Sequence, residues 1–336
     1  MNQAGSTNKV ISFPKRISVK KTMTLKRENG NNRPGPRIIA ITSGKGGVGK
    51  TNIVANLGFA FGKLGKRVLI LDADLGLGNL DVLLGLAPKF NLAHVIAGEK
   101  TIPEITIQGP GNMKILPASS GIQELTRLTK QQKIFILTQF DALIDSIDFL
   151  LIDTAAGISS NVMYFNVAAQ EIIVVVTPEP TSMTDAYALM KVLSLKYSEN
   201  RFHMLVNRVE SAQEAYEVFR QLSLVADRFL DITINYIGHI LLDNNVTKGV
   251  MLQKIVSEIY PDTRASMCIA AIAKKIVRSK PFQGSKADTR FFWKKLLRNV
   301  NVKSWTLRTH CLSYIHQVPQ ENPKGFCIPR AVIWCM

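Results

Sequence analysis

The stretch Gly44-Lys45-Gly46-Gly47-Val48-Gly49-Lys50-Thr51 follows directly on the apolar run Ile38-Ile39-Ala40-Ile41, and it constrains what the rest of the chain can be. It satisfies the pattern G-x-x-x-x-G-K-[ST] in the context that pattern requires, a strand entering a glycine-rich turn that opens a helix. Glycines let backbone N–H groups curl around phosphate oxygens, and the helix N-terminus adds positive potential at the same place. Lys50 brings a full charge to those oxygens and Thr51 a hydroxyl to Mg²⁺. The run from Gly44 to Thr51 is therefore a phosphate cradle suited to a nucleotide with Mg²⁺. Lys45 is its unusual member, because most loops of this kind carry nothing chemically special there.

Other strand ends should meet the cradle, since ligands of open α/β sheets gather at the carboxyl edge. Val68-Leu69-Ile70-Leu71 is a continuous apolar run, as a parallel strand buried on both faces should be, and it delivers Asp72-Ala73-Asp74. Two carboxylates there suit Mg²⁺ and water handling better than a core, where unpaired charge is expensive; helix capping by Asp74 or Asn79 is the structural alternative. A later run, Asp148-Phe149-Leu150-Leu151-Ile152, ends in Asp153-Thr154-Ala155-Ala156-Gly157. An acid so placed downstream of a phosphate loop is the Walker B arrangement that holds Mg²⁺ directly or through water. His203-Met204-Leu205-Val206 presents Asn207-Arg208 at the same edge, where Asn207 either reads a base through its amide or closes a turn.

Between these points strands and helices alternate. Ile53, Val54, Leu57, Ala60, Phe61 and Leu64 have helical spacing; 92–107 reads as short helix and turn, Met113 to Leu116 as a strand, and Lys130 to Ile147 as a helix. Ile172 to Val176 is a further buried strand, followed by helices over roughly 182–197 and 211–228, a short strand from Asn235 to Ile240, and a last helix over 262–279. The alternation predicts an α/β protein with a single doubly wound, mainly parallel sheet flanked by helices.

Charge divides the chain differently. Of the net +17, residues 38–273 carry −2, while 1–37 hold nine Lys/Arg against one acid and 274–308 eleven against one. Residues 1–36 therefore read as a basic flexible arm, 37–279 as the nucleotide-binding domain and 280–300 as a basic amphipathic segment. In that segment Phe292, Trp293, Leu296, Leu297 and Val300 share one side of a helical projection and Lys294, Lys295 and Arg298 the other, the layout of a helix that lies in an anionic membrane interface. Docking of the same helix on the domain is the alternative. Residues 301–336 hold three of the four cysteines and no clear period, and take no assignment. The cysteines show neither a disulfide framework nor zinc-site spacing, and no apolar run spans a bilayer or forms a signal peptide. The expected place is the cytoplasm, with peripheral attachment to the inner face of the cell membrane.

Taken together, Lys45-Gly46-Gly47-Val48-Gly49-Lys50-Thr51, Asp72-Ala73-Asp74-Leu75-Gly76-Leu77-Gly78-Asn79-Leu80-Asp81 and Asp153-Thr154-Ala155-Ala156-Gly157 resemble the MinD/ParA group of deviant-Walker ATPases. With Gly109-Pro110-Gly111, Pro117-Ala118-Ser119-Ser120-Gly121 and the basic tail, the chain is similar to the FlhG/FleN regulators of flagellar number. The resemblance implies a P-loop fold of the MinD type and a slow, dimer-activated ATPase that uses ATP and Mg²⁺. Two subunits would sandwich two ATP molecules, and Lys45 would reach the partner's phosphates. It also implies that Lys50 holds the β- and γ-phosphates, that Thr51 and Asp153 organise Mg²⁺ with Asp72 acting through water, and that Asp74 orients the attacking water. Asn207, with Arg208 beside it, matches the adenine-reading position. Partners implied are a second copy, an anionic membrane, and an FlhF-type GTPase or a flagellar transcription regulator. A MinD-type division-site regulator and a ParA-type partition ATPase held on DNA by the basic extensions are the alternatives.

Overall fold

Strand β1 (Arg37–Ser43) is buried along its whole length, and its side chains alternate between two cores: Ile39 and Ile41 enter one, Ile38 and Ala40 the other. This two-residue period marks a strand covered on both faces. The computed structural model describes residues 35–74, 80–117, 138–140, 143 and 146–280, and in it β1 lies inside an eight-stranded sheet. The other strands are β2 (Val68–Ala73), β3 (Ile107–Gln108), β4 (Lys114–Pro117), β5 (Phe149–Ala156), β6 (Glu171–Val176), β7 (Arg201–Val209) and β8 (Thr233–Leu241), in the order β3-β4-β2-β5-β1-β6-β7-β8. All neighbours pair in parallel except the two-residue β3, which runs antiparallel to β4 at one edge. The expected doubly wound, mainly parallel sheet is thus present.

Helices cover both faces. Helix α1 (Lys50–Lys63) follows β1 and buries Ile53, Val54, Leu57 and Phe61. After β2 come three short helices, α2 (Leu80–Leu83), α3 (Leu92–Ile96) and α4 (Ile102–Ile105). Most of the helix expected from Lys130 to Ile147 lies outside the described residues, although 138–140 are helical and Phe140, Leu143 and Ile147 are buried. Helix α5 (Ser160–Ala168) links β5 to β6, α6 (Pro180–Tyr197) links β6 to β7, and α7 (Ala212–Phe229) links β7 to β8. Helices α8 (Asn244–Met251), α9 (Val256–Ile259) and α10 (Arg264–Arg278) complete the fold. Helices α1, α9 and α10 share the core on one face; α3 to α7 cover the other through two further clusters. Asp243 starts α8, its side chain accepting a hydrogen bond from the Asn245 N–H as the N-cap.

At the amino-terminal edge of the sheet, Arg37 is almost wholly buried and fully engaged. Its Nε and Nη2 donate to the two carboxylate oxygens of Glu171 at 2.8 and 2.7 Å, and Nη1 donates to the Ser279 carbonyl at 2.9 Å and to that of Ile276. His203 Nε2 lies 3.1 Å from Glu171 Oε2. Burial pushes the Glu171 carboxyl up, but hydrogen bonds from His203 and Arg37 together with the Arg37 charge outweigh it and hold the group below the usual glutamate range. Removing one member of such a pair leaves the other charge buried and uncompensated.

Glu171→Gln is therefore expected to lose about 3 kcal/mol of stability at neutral pH. Because the folded pKa is depressed, the ion pair's contribution is complete above the unfolded glutamate pKa and disappears as the pH falls through the folded one. Urea melts at neutral and strongly acidic pH should show the two proteins converging on acidification; an undiminished gap at low pH would place the loss elsewhere.

Candidate nucleotide site

The carboxyl ends of β1, β2, β5, β6 and β7 meet around the loop between β1 and α1. Gly49, the N-cap of α1, has φ of 93° in the left-handed region, which turns the chain from loop to helix. No side chain caps α1 and no acid occupies its first turn, so the N–H groups at the helix start stay free of side-chain competitors for an anion. A Cβ at Gly46 or Gly47 would meet nothing within 4 Å, leaving open space above the loop. At Gly44 the reverse holds: a Cβ would lie 2.1 Å from the Asp185 carbonyl oxygen, because α6 packs its backbone against the loop's first residue. Val48 is buried beneath the loop.

Side chains from the loop itself and from β7 hold it in shape. Lys50 Nζ donates to Ser43 Oγ at 2.9 Å, and Ser43 Oγ donates to the Lys45 carbonyl at 2.7 Å. Asn207, at the end of β7, donates from Nδ2 to the Val48 carbonyl at 2.7 Å. That contact gives Asn207 a role in bracing the loop. Arg208 follows with φ of 59° and an exposed side chain, still within the strand.

Three carboxylates stand under the cradle. Asp72 and Asp153 are direct register partners on the adjacent strands β2 and β5, and the Asp74 N–H donates to Asp72 Oδ1 at 3.2 Å. Strand β5 runs on to Ala156, so Asp153 sits inside the ladder, where Gly157 N–H donates to the Ser43 carbonyl at 2.9 Å. Burial pushes the Asp153 carboxyl up to about 7 against a hydrogen bond from Thr51, with the Asp72 charge adding to the rise. Burial likewise takes Asp72 up to about 6, opposed by the Asp74 N–H and reinforced by the Asp74 and Asp81 charges. Desolvation lowers the Lys50 ammonium, and the charges of Asp153 and Asp74 partly restore it.

The residues fit a Mg²⁺-nucleotide. Asp153 Oδ1 is buried with no hydrogen-bond partner among the described residues, a costly state that a cation or its coordinated water relieves. Among the described residues no group of three or more His, Cys, Asp or Glu could cage a metal alone. Mg²⁺ is ordinarily held by one or two carboxylates, waters and substrate phosphates, so Thr51, Asp153 and Asp72 beside a phosphate cradle are an adequate protein share.

Lys45 is placed apart from this centre. Its ammonium donates to the Glu179 carboxylate and, at 2.8 Å, to Thr181 Oγ1, both at the start of α6. The Lys45 side chain is 35% exposed and that of Glu179 55%. Hydrogen bonding and charge from Lys45, with the Arg208 charge behind them, hold the Glu179 carboxyl below its ordinary range. Sequence reasoning passed over Glu179, Thr181 and Ser43. Glu179 had a signal, since it lies just beyond the buried strand β6 on the same carboxyl edge as the acids that were read. The basic arm and the segment with Phe292, Trp293, Lys294, Lys295, Leu296, Leu297, Arg298 and Val300 lie outside the described residues. Among the described residues no helix is long and apolar enough to cross a membrane.

Comparison with known proteins places this geometry. Residues 36–205 match the family described as AAA domain. The antiactivator FleN of Pseudomonas aeruginosa is 47% identical over 240 residues, covering 71% of this chain and 86% of that protein. The flagellum site-determining protein YlxH of Helicobacter pylori is 33% identical over 273 residues, 80% of this chain and 92% of that one. Among solved structures, the septum site-determining protein MinD of Pyrococcus horikoshii complexed with Mg-ADP superposes with a TM-score of 0.56 at 26% identity, covering 72% of this chain and 96% of that one. The chain belongs to the MinD/ParA-type family of P-loop ATPases with a second lysine in the loop, on the branch that holds FleN and YlxH.

Proposed function

We propose that this protein is an ATP-driven, Mg²⁺-dependent dimerising switch that associates with the membrane and regulates the number or placement of flagella. The observation that carries the switch is the position of Lys45, partly exposed and held by Glu179 and Thr181 outside a cradle that Lys50 already serves. A lysine so placed is available to a second subunit's phosphates. The flagellar assignment rests on the names of two relatives, an antiactivator and a flagellum site-determining protein.

In this reading the bound nucleotide supplies the phosphoanhydride to be cleaved and Mg²⁺ neutralises charge on its phosphates. Lys50 and the loop N–H groups hold the β- and γ-phosphates; Thr51 and Asp153 hold the cation, and Asp72 orients its water. Asp74 accepts a hydrogen bond from the attacking water and sets its line of approach. Asn207 keeps the loop in shape from below and, with Arg208, borders the base. Lys45 of each subunit exchanges Glu179 for the other's phosphates, so that dimerisation and turnover are coupled. The 280–300 segment binds the anionic membrane, weakly from one subunit and more firmly from two. An FlhF-type GTPase or a flagellar regulator is the protein partner that this branch suggests. The names of the MinD structures favour a division-site regulator as the second reading, and flagellar counts against cell-length distributions in a deletion strain separate the two.

Lys50→Ala should abolish ATP binding in equilibrium dialysis, whereas Lys45→Ala should bind ATP normally yet lose dimerisation and at least about 100-fold in turnover. A Lys45→Ala protein that still dimerises and hydrolyses would leave the cradle standing and remove the switch. Asp74→Ala is expected to bind ATP, hydrolyse it about 100-fold more slowly and accumulate as a dimer in size-exclusion chromatography; unimpaired cycling would contradict its role. Trp293→Glu with Leu296→Glu should release the ATP-bound protein from anionic vesicles at unchanged nucleotide affinity, and retention on the vesicles would send the segment back to a docking role.

A further inference from the structure

Lys45 is tied at both ends. Its ammonium donates to Glu179 and Thr181, and its backbone carbonyl accepts a hydrogen bond from Ser43 Oγ at 2.7 Å. Ser43 is the last residue of β1 and is buried; Ala156 of β5 is its register partner, and its own carbonyl accepts from the Gly157 N–H at 2.9 Å. The hydroxyl therefore stands on a fixed strand end. The residue it holds has no such support: Lys45 lies between Gly44 and Gly46, and Gly46 and Gly47 are exposed with open space around them. Glycine leaves a backbone more freedom than any other residue, so a lysine in that setting needs an outside contact to give its side chain a direction.

Lys50 decides where the Ser43 hydroxyl points. Its ammonium donates to Ser43 Oγ at 2.9 Å and, being a donor only, accepts nothing in return. The single hydroxyl hydrogen is left for the Lys45 carbonyl. One buried oxygen thus joins the two lysines of the loop, accepting from the side chain of one and donating to the backbone of the other. The two ends of Lys45 differ in kind. Its contact with Glu179 is solvent-exposed on both sides, whereas the Ser43 end is buried, so a side chain released from Glu179 swings from a root that stays in place.

We propose that Ser43 is the positioning residue of Lys45, fixing the backbone from which that lysine reaches the phosphates of a second subunit. This rests on the reading of Lys45 as the lysine that crosses between subunits. Ser43 acts through Lys45 and not by binding nucleotide. The Lys50 ammonium has two further donors for phosphate oxygens, so nucleotide affinity does not depend on the hydroxyl. The aim of Lys45 does, and a misplacement of about 1 Å in a group that acts on the reacting phosphate can cost up to about 100-fold in rate.

A double-mutant cycle on the full chain tests this, with Ser43→Ala, Lys45→Ala and the two combined. Affinity for Mg-ADP by equilibrium dialysis reports the cradle and the folded state; turnover at saturating ATP reports the action of Lys45. Ser43→Ala is expected to bind ADP within about threefold of the unaltered protein while its turnover falls about tenfold or more. The double variant should turn over ATP no more slowly than Lys45→Ala, because the hydroxyl has nothing left to position. If Ser43→Ala keeps full turnover while Lys45→Ala loses it, the proposal is overturned and the switch stands. A loss of ADP affinity in Ser43→Ala overturns it in favour of a role in the cradle or in folding. A double variant slowed by a further tenfold also overturns it, since Ser43 would then act independently of Lys45. If Lys45→Ala itself turns over ATP normally, the switch reading fails and takes the proposal with it.

Discussion

Buried charge is the constraint on which this structure depends, and the two ends of the sheet handle it in opposite ways. At the amino-terminal edge, Arg37, Glu171 and His203 bury their charge and polarity against one another, and the spare donors of Arg37 go to backbone carbonyls at the end of α10. At the carboxyl edge, Lys50, Asp72 and Asp153 are buried nearly as deeply, and Asp153 Oδ1 has no hydrogen-bond partner among the described residues. At the first end the charges of Arg37 and Glu171 are paired within the fold. The second gathers three acids and Lys50 beside an open glycine-rich loop, an arrangement that suits a polyanion with a cation.

The same contrast shows how a rigid sheet supports the nucleotide site. The acids are fixed by register: Asp72 opposes Asp153 across β2 and β5, and neither can move without breaking ladder hydrogen bonds. Ser43, Asn207 and the α6 backbone at Asp185 brace the loop from three directions. A phosphate therefore meets preorganised donors, and the ordering cost has been met in folding. Lys45 differs from all of these in being partly exposed and held by a side chain on a separate element.

The strands and the cradle were legible in the sequence because their signals are local. An apolar run reaching an acid at Asp72 or Asp153, and a glycine-rich turn reaching Lys50, need no knowledge of the fold. Contacts between distant segments were not legible: Asn207 reaches Val48 across 159 residues, and Lys45 reaches Glu179 across 134. Helix α5 escaped notice because it buries Val162, Met163, Phe165 and Val167 with no polar stripe to set its period. Strand β8 runs past the expected Asn235 to Ile240 at both ends because Thr233, Ile234 and Leu241 pair with β7, a contact between segments that the sequence pattern does not display. In β5 the polar Thr154 hides the strand's last residues by spending its hydroxyl on the Ile41 carbonyl.

In the proposed switch, the weakness of the Lys45–Glu179 contact would be its use. Exposed ion pairs contribute little to stability, because solvent screens them and ordering two long side chains opposes them. A buried tether such as that of Arg37 would lock the lysine at home, and a wholly free lysine would pay the full ordering cost on meeting a second subunit. Glu179 and Thr181 instead hold the ammonium in a defined place by bonds that a phosphate, carrying more charge and more acceptors, can replace. The loop that began as a phosphate cradle thus contains two lysines separated by burial: Lys50 belongs to the fold, and Lys45 is held at its surface by an exchangeable carboxylate.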